Sequence, residues 1–70
     1  MSGLHAALMA AHEAGDGAGL ARLYERAAET AGDVDAACFF LTHAYVHALE
    51  AGDPRARHLH GRLKAHGREA

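Results

Sequence analysis

Apolar positions recur three and four residues apart in four successive stretches, the spacing of one buried stripe on an α-helix. The first aligns Leu4, Ala7, Leu8, Ala11 and Ala14. The second aligns Leu20, Leu23, Tyr24, Ala27 and Ala31, and places Arg22, Glu25, Arg26 and Glu29 on the far side. The third is the richest, with Val34, Ala37, Cys38, Leu41, Ala44, Tyr45, Ala48 and Leu49. The fourth carries only Ala56, Leu59 and Leu63. Between the stretches one triplet is used three times: Ala14-Gly15-Asp16, Ala31-Gly32-Asp33 and Ala51-Gly52-Asp53. Glycine reaches the left-handed conformation that closes a helix. Aspartate accepts hydrogen bonds from the free N–H groups that open the next one. Pro54 follows the third aspartate, where a first-turn proline forfeits no needed donor. The pattern predicts an all-α chain with helices over about 3–14, 17–31, 34–51 and 54–67. Turns this short predict antiparallel neighbours, two stacked helical hairpins in a single domain over 1–70.

Composition adds a constraint on packing. Half of the 70 residues are hydrophobic, but 18 of these are alanine, so the helices must approach closely to bury much. Glycines at 17 and 19 weaken the start of the second helix, each by about 1 kcal/mol against alanine. A domain this small is marginally stable alone, which favours self-association or docking on a partner. One cysteine excludes an intramolecular disulfide and the zinc sites that need several thiolates. The opening residues Met1-Ser2-Gly3-Leu4-His5 do not read as a secretory signal, and no stretch approaches a membrane span. A cytoplasmic protein without a membrane partner is the expectation.

The charge is uneven. Residues 1–53 carry eight carboxylates against Arg22 and Arg26, whereas residues 54–70 carry Arg55, Arg57, Arg62, Lys64 and Arg68 against Glu69. The last helix can therefore be a solvated end whose cations suit its own C-terminus, or it can complement an acidic surface on a sibling chain or partner. Nucleic acid is not expected: the overall pI is about 6.3, the cations scatter around the helix, and no aromatic residues interleave them.

The stretch Ala14-Gly15-Asp16 followed by Leu20, Tyr24 and Ala27 resembles the tetratricopeptide (TPR) repeat. The run from Leu23 through Gly32-Asp33 to Ala37 is similar to its Sel-like variant. The resemblance spans residues 4 to about 63 and is most specific over 20–53. The Leu-Gly usual in the first helix is Ala7-Leu8 in one unit and Leu41-Thr42 in the other, and the closing proline of the second helix is missing. The resemblance implies a stack of helical hairpins, a protein-interaction role and no catalytic residue. Two such repeats fall short of the three usually needed for a stable solenoid, which again favours pairing with another chain.

Helix three has more apolar surface than one stripe requires. Phe39 and Val46 lie on one flank and Phe40 on the other. Either helices one and four cover a central helix three, or the rings anchor an interface, or they line a ligand pocket. Seven histidines are the other conspicuous feature. His43 and His47, four apart, with Glu50 three further on, have the spacing of two imidazoles and a carboxylate around a metal, on a face expected to point into solvent. No glutamate follows His43 as a zinc-protease signature requires. Cys38 falls on the core stripe, roughly opposite His43, and reads as an inert buried thiol. The leading expectation is a non-enzymatic protein–protein or self-association module without a cofactor. Its interface comprises Phe39, Phe40, His43, Val46 and His47, rimmed by Arg55, Arg57, Arg62 and Lys64. The alternative is a small metal-binding or nucleic-acid-binding helical protein.

Overall fold

The computed structural model describes residues 3–68, and all regular structure among them is helical. Four helices follow one another: α1 (Gly3–Ala14), α2 (Gly17–Glu29), α3 (Val34–Ala51) and α4 (Arg55–Ala65). None is long and apolar enough to cross a membrane.

The junctions follow from local chemistry. Gly15 and Gly52 both adopt φ of 67°. There the N–H of Asp16 reaches the Ala11 carbonyl and that of Asp53 the Ala48 carbonyl, each at 2.9 Å, which satisfies carbonyls the helix ends would leave open. Each aspartate then opens the next helix: Asp16 accepts from the N–H of Gly19, Asp33 from Ala36 and Asp53 from Arg55. Pro54 has helical dihedrals, so the helical geometry begins where expected even though the regular helix starts at Arg55. Gly32 departs from the expected role. α2 ends at Glu29, and Thr30 closes it by donating both its N–H and its hydroxyl to the Ala27 carbonyl. The left-handed position used instead is Gly67, with φ of 75°, which stops α4 at Ala65 rather than 67.

The glycines that weaken α2 as a helix have packing roles. A Cβ on Gly17 would lie 3.2 Å from the Ala51 methyl, and one on Gly19 would collide with the Asp16 carboxylate that caps the helix. The backbone of α2 thus approaches the end of α3 closely, and the cap fits, because both side chains are absent.

Contacts run α1 to α2, α2 to α3 and α3 to α4, and the α2–α3 contact is the most extensive. The core belongs to α2, α3 and α4. Leu41, Leu59 and Leu63 are its largest fully buried side chains, and Ala21, Ala44 and Ala48 let the helices close around them. Each leucine contributes about 1.5–3 kcal/mol by leaving water. The sparse stripe of α4 therefore supplies two of the three main anchors. Val34 and Leu49, expected on the core stripe of α3, are exposed, because the buried face narrows to Cys38, Leu41, Ala44 and Ala48. From α1 only Ala11 is buried.

Candidate functional site

α3 is built with two apolar faces. At 100° per residue, Leu41, Ala44 and Ala48 point one way and Phe39 and Val46 point the opposite way. The first set is buried. The second is open: Phe39 is 59% exposed and Val46 43%, with Leu49 at 54% beside them. Helices one and four do not cover this face.

Between the two faces runs a row of rings. Tyr24 of α2 lies nearly parallel to His47, His43 and Phe40 of α3, at centroid distances of 5.5, 5.2 and 6.5 Å. Phe39 presents an edge-on contact to His43 at 4.6 Å and to Phe40 at 5.5 Å. His12 of α1 meets His47 edge-on at 5.8 Å. Stacking of this kind adds to area burial and holds the rings in fixed orientations. His43 and His47 are accordingly half-buried against Tyr24, which corrects the expectation that they point into solvent. Phe40 is also half-buried there and braces Phe39 from behind.

The metal alternative gains nothing from this geometry. Among the described residues no group of three or more His, Cys, Asp or Glu side chains converges as a metal site. His47 stands 4.0 Å from Glu50 through its Nδ1, while His43 is held between Phe39 and Tyr24. Cys38 is buried.

The predicted basic rim divides in two. Arg57 and Lys64 are exposed and make no ion pair among the described residues. Arg55 and Arg62 are half-buried and engaged within the chain by Glu25. Periodicity places Glu25 on the solvent side of α2, and the structure buries it. It is 8% exposed, the one buried charged residue among the described residues. Its Oε1 accepts from Arg55 Nη1 at 3.3 Å. Its Oε2 accepts from His58 Nε2 at 2.8 Å and from Arg62 Nη1 at 3.0 Å. Arg62 lies a further 3.5 Å from Glu29. Burial raises the Glu25 carboxyl pKa, but the hydrogen bonds and charges of His58 and Arg62 outweigh it, and the net shift is downward.

Two of the α4 cations, Arg55 and Arg62, therefore share a face with His58, while Arg57 and Lys64 lie on the opposite one. Arg55, His58 and Arg62 are three and four residues apart and form one stripe toward α2. Including His58 with the arginines is the sequence signal that finds it. The acidic body and basic last helix complement each other inside one chain.

A groove of about 510 Å³ runs between α1 and α2. Its lining includes Ala7, Ala10, Ala11 and Ala14 on one side and Arg22, Leu23 and Arg26 on the other. No family model, no curated protein and no solved structure matches this chain.

Proposed function

We propose that this chain is a small protein–protein docking module, arranged as two antiparallel helical hairpins in the manner of a TPR-like pair, and that it docks through the outer face of α3. The observation that carries this reading is the exposure of Phe39, Val46 and Leu49 on the helix whose opposite face supplies the core. A helix apolar on both sides needs cover on both sides. Aromatic and aliphatic residues exposed as a group mark contact surfaces, and a ring already braced by neighbours has less freedom to lose on binding. Phe39, His43 and Val46 form the centre of the face; Phe40 and His47 support it from beneath, with Tyr24.

Two features support the hairpin arrangement. Gly17, at the start of α2, lies beside Ala51 at the end of α3, while Tyr24, midway along α2, lies beside Phe40, His43 and His47. The role is binding rather than catalysis. The buried carboxylate, Glu25, is engaged by Arg55, His58 and Arg62 and ties α2 to α4. Of the predicted rim, Arg57 and Lys64 remain available to a partner, while Arg55 and Arg62 act within the fold.

A photo-crosslinking amino acid placed at position 39 tests this reading. Crosslinked protein is expected from position 39 and from position 46, and none from position 13 on α1. Equal yields from all three positions, or none from any, would reject the α3 face.

A further inference from the structure

We infer that the occupant of the outer α3 face is a second copy of this chain, with the two α3 helices crossing antiparallel about a two-fold axis between Thr42 and His43. This inference rests on the docking reading above and names its partner.

The argument is a symmetry in the chemistry of the face. Asp35, Phe39, Thr42, His43, Val46 and Glu50 all fall within about 60° of one direction on α3. Reading inward from either end gives the same order: a carboxylate, a large apolar side chain, a small polar or ring group. The spacings are also the same from both ends, four, then three, then one, then three, then four. A closed two-fold contact sets each residue against the symmetry mate of its counterpart, and this spacing places side chains of matching reach opposite one another. Turning a second copy about the axis between Thr42 and His43 sets Phe39 against the partner's Val46 and Thr42 against the partner's His43.

The ends carry the charge argument. Asp35 would meet the partner's Glu50, and two bare carboxylates would repel. Asp35 is not bare: Arg68 Nη2 donates to it at 2.7 Å. Glu50 has an exposed side chain whose ion contact is the 4.0 Å approach of His47. Each end of the seam therefore reads Asp35, Arg68, then the partner's Glu50, one cation between two anions. The middle is suited to drying. The Thr42 hydroxyl donates to the Cys38 carbonyl at 2.9 Å, so closing the seam strands no donor there. Phe39 is held edge-on by His43, so little ordering is left for association to impose.

Sedimentation velocity of the full chain over a range of concentrations tests the inference. The intact chain is expected to pass from monomer to dimer and no further. Phe39→Glu is expected to weaken the dimer about 30-fold or more, as a central anchor does. Arg68→Glu is expected to weaken it about 5-fold, and adding Glu50→Arg to restore it. Far-UV circular dichroism identifies any variant that fails to fold, and the restored double variant stands independently of Phe39→Glu. A chain that stays monomeric at millimolar concentration overturns the inference. So does a dimer indifferent to Phe39→Glu, or a charge pair whose reversal restores nothing. Monomeric behaviour together with position-39 crosslinks to a different protein overturns the second copy alone and leaves the docking face. Neither dimer nor crosslink overturns both.

Discussion

α1 and α4 are of nearly equal length and both lie at the outside of the chain's helix order, yet they are held by different physics. α4 inserts Leu59 and Leu63 into the core and binds Glu25 through Arg55, His58 and Arg62. α1 buries only Ala11, leaves Leu4 and Leu8 half-buried and Met9 exposed, and borders an open groove lined by alanines. An alanine seam gains little per residue, because a methyl group removes little area from water. A large side chain or a partnered charge gains more, but only when the opposing helix carries its complement. The chain is thus a fastened three-helix unit with a more loosely attached first helix, and α3 stands at the centre with one face spent on the fold and one free.

The largest effect should come from the fastened unit. Leu41→Ala removes a fully buried side chain at the meeting of α2, α3 and α4. A loss of about 2–5 kcal/mol is expected, enough to leave a domain of this size largely unfolded in a thermal melt. A drop of only a few degrees would mean that the unit does not depend on this core.

Glu25→Gln comes next. It keeps the shape and removes the charge that the α4 cations bind, and a loss of about 1.5–3 kcal/mol is expected. That corresponds to a fall in melting midpoint of about 6–24 °C. The same group sets an acid dependence. Its folded pKa lies below its unfolded value, so its contribution is present above about pH 4.3 and disappears as pH falls through the folded pKa. Melting across that acid range should show a decline in the parent chain, and the Glu25→Gln variant should lack this component. Parallel curves for the two proteins would separate Glu25 from the acid response.

On α1 the effects should be smaller. Leu8→Ala is expected to cost about 0.5–1 kcal/mol, since the side chain is only half-buried. Amide hydrogen exchange should place α1 at lower protection than α3 and α4, as a locally opening segment. Equal protection across all four helices would erase the contrast.

Much of the fold is legible in the sequence because its junctions are local. A glycine and the aspartate after it need only their own helix ends, so Gly15-Asp16 and Gly52-Asp53 read correctly without any tertiary knowledge. Gly32 reads wrongly because Thr30, two residues earlier, closes α2 with its own hydroxyl. Glu25 is invisible to periodicity for a different reason: a charge marks a solvent face unless its partners are known, and those partners lie 30 to 37 residues away. The candidate face was half legible. Wheel geometry isolates Phe39 and Val46, but the half-burial of Phe40, His43 and His47 depends on where Tyr24 reaches from α2.

The central claim is that Phe39 serves docking and not folding. Its most direct test is the melting midpoint of Phe39→Glu in dilute solution, where self-association is absent. The account predicts a midpoint lowered by no more than the change that about 1 kcal/mol produces, as for a ring that is mostly open and only edge-stacked on its neighbours. A fall comparable to that of Leu41→Ala would contradict it and return Phe39 to the core.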